Sequence, residues 1–147
     1  PDFDYLLWLD ETKRAENLRR FPSEMPNIIG FESDTKITNQ AKQNVISAGL
    51  QNVIQIKNLP FQECILPNQK GLIVCNPPYG ERLGNQIELE QLYEEFGNYL
   101  KNNASGWDLW ILSGNKKLSR FLKMKASKRF TVSNGGIDCR WLNYSIN

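Results

Sequence analysis

The chain has 147 residues, of which 40% are hydrophobic and 23% charged, and its formal net charge is +2. This composition is typical of a folded domain and excludes disordered and fibrous proteins, while so small a charge does not by itself indicate a nucleic-acid partner. No apolar run approaches the roughly 20 residues that cross a membrane, and the absence of histidine excludes Ser-His-Asp catalysis and histidine-ligated metals.

The three cysteines, Cys64, Cys75 and Cys139, lie far apart and form no Cys-x-x-Cys pair. An odd, scattered set of this kind is typical of buried thiols in a reducing compartment, so we expect a cytoplasmic protein without a metal site. The sequence opens at Pro1 without a methionine. We therefore expect the chain to be part of a longer polypeptide.

Hydrophobic periodicity predicts alternating helices and strands. The predicted elements, in chain order, are a helix over 3–21, a strand over 27–32, a helix over 33–48, strands over 52–57 and 71–75, a helix over 86–103, a strand over 107–113, a helix over 115–124 and strands over 128–134 and 137–146. Pro22 ends the first helix, and Gly49 suits the C-terminal end of the second. Asn134-Gly135-Gly136 predicts a hairpin between the last two strands.

This order predicts an α/β fold with a mainly parallel, three-layer sheet that an antiparallel hairpin closes. We expect one domain over 1–147, with an N-terminal helical segment over 1–22 and the strands and helices of the sheet over 27–147. In such sheets, ligands bind beyond the carboxyl ends of the strands. Glu32 and Asn76 stand at two of these ends.

Glu32 follows an apolar strand and precedes a helix. A carboxylate in this position can accept hydrogen bonds from both hydroxyl groups of a nucleoside ribose. It can equally be a structural carboxylate that the dipole of the next helix stabilises. Asp34 is the better candidate for the N-terminal cap of that helix.

Asn76-Pro77-Pro78-Tyr79 is the most specific motif in the chain. Proline ends a strand because it cannot donate to the ladder, but one proline would suffice for that. Two prolines also stiffen the backbone and leave carbonyl groups without competing N–H donors. The side-chain oxygen of Asn76 and the carbonyl of Pro77 can then accept from one exocyclic amine, while Tyr79 offers a ring on which a base can stack.

This arrangement suits methyl transfer to the exocyclic amine of a base. Such an amine is a poor nucleophile because its lone pair is delocalised into the ring. Two acceptors on its N–H bonds favour a tetrahedral nitrogen, and an amine held in line with an activated methyl group needs positioning more than a strong base. The base must be unstacked to reach the site, so the target is flipped or single-stranded.

The motif resembles motif IV of class I S-adenosylmethionine (SAM)-dependent methyltransferases that act on exocyclic amines. The longer stretch "CNPPYGERLG" resembles the THUMP-associated RNA methyltransferases, and above all the bacterial large-subunit rRNA guanine-N2 methyltransferases. Further segments are similar to this family in order and spacing, and together they cover essentially the whole chain: "PDFDYLLW", "IIGFESD", "AKQNVISAGL", "GWDLWILSGN" and "NGGIDCRWLNYSI". The resemblance implies a Rossmann-like fold and SAM as cofactor.

The resemblance also implies which residues contact SAM. Glu32, with Ser33 beside it, would bind the ribose, and Asn76 would lie against the donor. Asn58 and Leu59 occupy the position that contacts the adenine. The family commonly has aspartate where this chain has Asn58, and an amide can still accept one hydrogen bond there, so adenine binding is altered or weakened.

The implied catalytic residues are Asn76, Pro77, Pro78 and Tyr79. Asn76 and Pro77 would hold the target amine, and Tyr79 would hold the base.

The loop after the motif has a less specific sequence. Gly80 allows the chain to turn. Glu81 and Arg82 can form a surface ion pair, or Arg82 can contact an RNA phosphate.

Two parts of the family pattern are missing from residues 1–147. One is the first strand with its Asp-Pro-x-x-Gly-x-Gly loop, which holds the methionine part of SAM. The other is the THUMP RNA-binding domain. We therefore expect an incomplete class I methyltransferase fold whose parent polypeptide supplies the missing N-terminal part and acts on large-subunit rRNA.

Three alternatives remain. The chain could belong to a DNA adenine-N6 or cytosine-N4 methyltransferase, or a protein amine methyltransferase, with the same motif. It could be a non-catalytic RNA-binding module descended from such an enzyme. It could also be a nucleotide-binding α/β domain of another class, although that leaves Asn-Pro-Pro-Tyr unexplained.

Overall fold

A computed structural model describes residues 2–18, 26–79 and 85–147 of the chain. The helices and strands, in chain order, are α1 (Tyr5–Asn17), β1 (Ile28–Glu32), α2 (Thr35–Ser47), β2 (Ile54–Asn58), β3 (Leu72–Cys75), α3 (Gln86–Asn103), β4 (Asp108–Ser113), β5 (Lys128–Asn134) and β6 (Ile137–Ser145). Two short 3-10 helices lie at Phe61–Glu63 and Leu118–Leu122. The chain forms two compact units, Pro1–Pro60 and Phe61–Asn147.

The first unit contains a parallel pair of strands, β1 and β2, with the helices α1 and α2. The strands are in register from Ile28 opposite Ile54 to Glu32 opposite Asn58. Asp34 caps α2, as predicted, because its side chain accepts a hydrogen bond from the N–H of Ile37. Both strands therefore end at the same level, where α2 begins.

The second unit is built on a four-stranded sheet in the order β3-β4-β6-β5. β3 and β4 are parallel, whereas β4–β6 and β5–β6 are antiparallel. Gly135 and Gly136 adopt positive φ values of 58° and 81° between β5 and β6. The hairpin predicted at Asn134-Gly135-Gly136 is thus confirmed, because such backbone angles favour glycine.

One face of this sheet carries the core of the second unit. α3 packs there through residues spaced by three or four positions, as its amphipathic pattern predicts. Gly97 lets α3 approach the chain at Leu122, since a Cβ on Gly97 would lie 2.4 Å from the carbonyl oxygen of that residue. The buried members of this core are Leu89, Tyr93, Leu100, Ala104, Leu109, Ile111, Leu118, Leu122, Ala126, Leu142, Tyr144 and Ile146.

The α/β fold class with parallel pairing and a C-terminal antiparallel hairpin is confirmed, but two details differ from the prediction. The strands form two separate sheets instead of one, because hydrophobic periodicity identifies strands without fixing which strands pair. The helix predicted over 115–124 is only the 3-10 helix Leu118–Leu122. None of the helices in the described ranges is long and apolar enough to cross a membrane.

Candidate active site

In the first unit, the predicted ribose-binding and adenine-binding residues lie side by side. Glu32 ends β1 and Asn58 ends β2, and the two are directly opposite each other in the parallel register. The carboxyl ends of parallel strands are where α/β sheets bind ligands. The structure therefore brings together the two side chains that the sequence placed at separate strand ends.

The carboxylate of Glu32 is held by the loop that follows it. Its Oε1 accepts hydrogen bonds from the N–H of Asp34 at 2.8 Å and from the hydroxyl of Ser33 at 3.4 Å. These bonds engage one carboxylate oxygen, and no described residue donates a hydrogen bond to Oε2. Glu32 is thus fixed in place with one oxygen available for a ligand, next to the N-terminus of α2.

The amide of Asn58 is occupied by the protein itself. Its Nδ2 donates to the backbone oxygens of Glu32 at 2.8 Å and Ser33 at 3.0 Å, and lies 3.2 Å from Oγ1 of Thr38. Its Oδ1 accepts from the hydroxyl of Thr35 at 2.9 Å. The orientation of the amide is chemically determined, because backbone carbonyls only accept hydrogen bonds.

These contacts decide how well the predicted residues fit SAM. Oε2 of Glu32 fits a ribose hydroxyl. Oδ1 of Asn58 retains one lone pair that could accept from an adenine amine, but the N–H of Leu59 already donates to the backbone oxygen of Glu32 at 3.1 Å. The available acceptor oxygens thus fit the ribose of SAM well, but they fit the adenine only through Oδ1 of Asn58.

In the second unit, the Asn-Pro-Pro-Tyr corner follows β3 directly. Asn76 is exposed, whereas the prolines and Tyr79 are half-buried. No hydrogen bond joins the Asn76 side chain to a described residue, whereas both the nitrogen and the oxygen of the Asn58 amide have partners within the protein. The amide of Asn76 therefore stands at the strand end without a hydrogen-bond partner among residues 2–18, 26–79 and 85–147.

The ring of Tyr79 is held from two sides. Its hydroxyl accepts a hydrogen bond from Nδ2 of Asn134 at 3.0 Å and lies 3.8 Å from Sγ of Cys139. A Cβ on Gly114 would approach ring carbons of Tyr79 to 2.4 Å. The position of the Tyr79 ring thus requires glycine at position 114, directly after β4. Its hydroxyl is hydrogen-bonded to Asn134, where the turn between β5 and β6 begins.

Two groups near the corner, the Cys75 thiol and the Tyr93 phenol, cannot act as bases at neutral pH. Burial raises the pKa of the Cys75 thiol to about 12. Burial, with a smaller contribution from Cys75, also raises the pKa of the Tyr93 phenol above its ordinary value. Both groups stay protonated at neutral pH, so neither supplies a base beside the corner.

Sequence reasoning missed Gly114, Cys139, Thr35 and Thr38, whose roles depend on packing between distant segments. Asn134 was identified only as a turn residue, and nothing in the sequence pairs it with Tyr79, 55 residues earlier.

Gly80, Glu81 and Arg82, the loop after the motif, lie outside the described residues. Across 2–18, 26–79 and 85–147, no cluster of three or more cysteine, aspartate or glutamate side chains could hold a metal ion.

The chain has an α/β architecture with polar side chains at the carboxyl ends of its parallel strands. The chain belongs to the family described as UPF0020: RMKL-like, methyltransferase domain, whose model matches residues 4–143. The predicted family resemblance is therefore confirmed.

Curated relatives extend well beyond the matched region. The chain is 36% identical over 149 residues to the ribosomal RNA large subunit methyltransferase K/L of Aliivibrio fischeri, with 99% of this chain and 21% of the relative covered. It is 35% identical over 134 residues to the protein of that name from Legionella pneumophila strain Corby, covering 91% of this chain and 19% of the relative. With the slr0064 protein of Synechocystis included, the chain spans 19% to 38% of these relatives.

Two solved structures support the fold. SMU.472, crystallised in complex with SAH, is similar with a TM-score of 0.85 at 24% identity, covering 100% of this chain and 38% of that one. A protein of Listeria monocytogenes, named as a predicted N6-adenine-specific DNA methylase, has a TM-score of 0.79 at 28% identity, covering 98% of this chain and 36% of that one.

Proposed function

We propose that this chain is the target-binding part of a SAM-dependent RNA methyltransferase, and that the modified group is the exocyclic amine of guanine, N2, in large-subunit ribosomal RNA. Family membership and the names of the K/L relatives support methyl transfer to ribosomal RNA. The choice of an amine rests on the Asn-Pro-Pro-Tyr corner. The SAH bound to SMU.472, which is what SAM becomes after giving up its methyl group, supports SAM as the donor.

The observation that carries the proposal is the exposed Asn76 side chain, for which no described residue is a hydrogen-bond partner. Its amide is exposed and makes no hydrogen bond to a described residue, although the neighbouring Tyr79 is tied down. A polar side chain without a partner among the described residues, beside a rigid Pro-Pro backbone, suits a ligand group that donates two hydrogen bonds. An exocyclic amine, with two N–H bonds on one nitrogen, is such a group.

SAM supplies a methyl group on a positively charged sulfur, which makes its carbon electrophilic. Asn76 Oδ1 and the carbonyl oxygen of Pro77 accept the two N–H bonds of the amine and direct its lone pair away from the ring plane. When the nitrogen–carbon bond forms, the bond between that carbon and the sulfur would break with its electron pair staying on sulfur, so that neutral S-adenosylhomocysteine leaves. The nitrogen would become cationic and then lose one of its protons to water. The same two oxygens stabilise that positive charge, so no ionised base is required.

Glu32 holds the donor in this proposal. Its Oε2 accepts from a ribose hydroxyl, while the N–H of Asp34 fixes Oε1. Ser33 steadies the carboxylate through its hydroxyl. The Asn58 oxygen is the remaining acceptor for the adenine, with Leu59 beside it as an apolar contact.

The greater length of the relatives supports a contribution from further segments of the same polypeptide. We propose that these include a glycine-rich loop for the methionine part of SAM and a THUMP domain for RNA. A ribosomal RNA substrate would place the protein in the cytoplasm.

The test is methyl transfer from radiolabelled SAM to deproteinised large-subunit rRNA by the protein that contains this chain. Asn76→Ala should lower the rate roughly 100-fold, the scale of losing one positioned acceptor in a transition state. Asn98→Ala is the matched control, because Asn98 is an exposed asparagine on α3 away from the corner. A rate for Asn76→Ala within about threefold of the control would refute the role of the amide.

The modified nucleoside identifies the target. Nuclease digestion followed by mass spectrometry should yield N2-methylguanosine from rRNA. N6-methyladenosine, or transfer to DNA in preference to rRNA, would overturn the guanine assignment in favour of the activity after which the Listeria relative is named. RNA binding without transfer by any preparation would favour the non-catalytic alternative.

A further inference from the structure

A cleft of about 350 Å³ lies between the 3-10 helix Leu118–Leu122 and the hairpin strands β5 and β6 of the second unit. It falls within the roughly 300–1,000 Å³ range of ligand-binding clefts. We call it the basic cleft. Its lining residues are Lys116, Ser119, Arg120, Met124, Ala126, Arg129, Arg140, Leu142 and Tyr144.

The lining contains four cationic side chains and no acidic one. The ion pairs among the described residues are Arg14–Glu11 and Lys123–Glu94, so none neutralises a cation of the cleft. Asp138, which strand alternation places on the same face of β6 as Arg140, does not line it. Since the whole chain has a formal net charge of +2, the remainder without these four cations would carry −2.

Strand pairing fixes the positions of two of the arginines. Arg129 of β5 lies opposite Leu142 and Arg140 of β6 lies opposite Thr131, so the arginines are diagonal neighbours on one face. Diagonal neighbours on a sheet lie roughly 7–8 Å apart. Two long arginine side chains that start from positions this far apart can reach one phosphate group together or two adjacent phosphates.

A neutral phenol, that of Tyr144, also lines the basic cleft. Tyr144 is buried, and burial raises the pKa of its phenol, although Arg129 and Ser119 oppose the shift. The phenol therefore remains an O–H donor at neutral pH. The hydroxyl of Ser119 already donates to the backbone oxygen of Lys116 at 3.2 Å. The charged side chains that line the cleft, among the described residues, are all cations, which suits an anion with several oxygens and not a metal ion.

We propose that the basic cleft binds phosphate groups of the RNA backbone and thereby positions the substrate strand. The inference rests on the proposed function, since it takes RNA as the polyanion. A phosphodiester chain fits better than a single phosphate, because four cations exceed what one phosphate neutralises. Contacts of this kind supply register and affinity without reading sequence.

The test measures binding of a short, mixed-sequence, single-stranded RNA to the chain as a function of salt. Arg129→Gln with Arg140→Gln should weaken binding roughly tenfold at low salt. Each lost phosphate contact lowers the slope of log affinity against log salt concentration by about 0.7, so the slope should fall by about 1.4. Lys42→Gln with Lys101→Gln removes the same charge from exposed positions outside the cleft and should change the slope little.

A second measurement avoids variants altogether. Lys116 should be protected from acylation by bound RNA, whereas Lys101 should not, as mapped by mass spectrometry. This readout decides the matter if the arginine variants unfold, which thermal melting would reveal.

Equal salt slopes for the two double variants, or no protection of Lys116, would overturn the basic cleft as an RNA site. Failure of the unaltered chain to bind RNA, or binding of an acidic peptide in preference to RNA, would overturn it as well. The proposed function is judged separately, since methyl transfer to rRNA can persist when the cleft plays no part. If no methyl transfer to rRNA is found but the arginine double variant still lowers the salt slope, the cleft binds RNA and the proposed methyltransferase activity is wrong.

Discussion

Asn58→Asp separates two incompatible roles for the residue at the end of β2. The family resemblance implies that an aspartate there accepts from adenine, so the variant should bind SAM more tightly. The structure implies the opposite, because Nδ2 of Asn58 donates to the backbone oxygens of Glu32 and Ser33. A carboxylate cannot donate, and its oxygen would face two carbonyl oxygens.

The magnitude follows from these contacts. Two hydrogen bonds are lost, each worth about 1 kcal/mol net. The Glu32 oxygen still accepts from the N–H of Leu59 and the hydroxyl of Thr38, so it is not left bare. Repulsion between the carboxylate and the carbonyls adds to the loss, but the exposed position of Asn58 screens it. We expect the free energy of unfolding to fall by roughly 2 kcal/mol.

Urea unfolding at neutral pH measures this change. Asn58→Ala loses the same two hydrogen bonds without adding charge, so it should cost nearly as much, and the difference between the two variants measures the repulsion between the carboxylate and the carbonyls. Asn39→Asp is the matched control, since Asn39 is exposed on α2, and its effect should stay within about 0.5 kcal/mol. Because a protonated aspartic acid can donate again, the deficit of Asn58→Asp should shrink as pH falls below about 4.

Calorimetric titration of SAM into the protein that contains this chain supplies the second readout. A displaced Glu32 loop should weaken SAM binding roughly fivefold or more, the scale of about 1 kcal/mol. Undiminished stability together with tighter SAM binding would refute the argument and restore the adenine role to position 58.

Gly114→Ala should lower the free energy of unfolding by about 1–3 kcal/mol and raise KM for RNA, because the new methyl group would meet the Tyr79 ring at 2.4 Å. Ser105→Ala is the control. An unchanged KM for RNA in Gly114→Ala would contradict this prediction. Cys75→Ala should reduce the loss of stability between pH 8 and pH 10. The pKa of this thiol is about 12 in the folded chain and 9.0 for an ordinary exposed cysteine, which we take for the unfolded chain. Above pH 9 the folded state therefore keeps a proton that the unfolded state releases. The free energy of unfolding then falls by up to about 1.4 kcal/mol per pH unit. Equal losses in the variant and the parent would contradict this.

The sequence predicts most of the elements because their signals are local. Asp34 as the cap of α2 and Asn134-Gly135-Gly136 as a hairpin are each decided within a few residues. The division of the strands into two sheets is not decided locally, because the hydrophobic pattern of a strand does not depend on which strand it pairs with. The short helix at Leu118–Leu122 differs for a related reason: apolar residues there pack against α3, and that packing does not require a full α-helix.

For the candidate site, the sequence predicts which residues stand at strand ends, but not which of their polar groups are free. Asn58 and Asn76 are the same residue type at equivalent ends of β2 and β3. Their difference comes from neighbours, since Asn58 faces backbone oxygens and a threonine hydroxyl while Asn76 faces none among the described residues. Only the folded chain distinguishes a structural amide from one available to a ligand.

The attachment of Tyr79 bears on how its ring can serve a base. From the sequence, the face of the Tyr79 ring is expected to matter more than its hydroxyl. The hydroxyl, however, accepts from Asn134, and the ring rests against Gly114, so the angle of the face depends on both. Tyr79→Phe keeps the face but removes one of its two restraints. It should therefore raise KM for RNA more than it lowers kcat, and Asn134→Ala should reproduce that pattern, because the two variants break the same hydrogen bond from opposite ends.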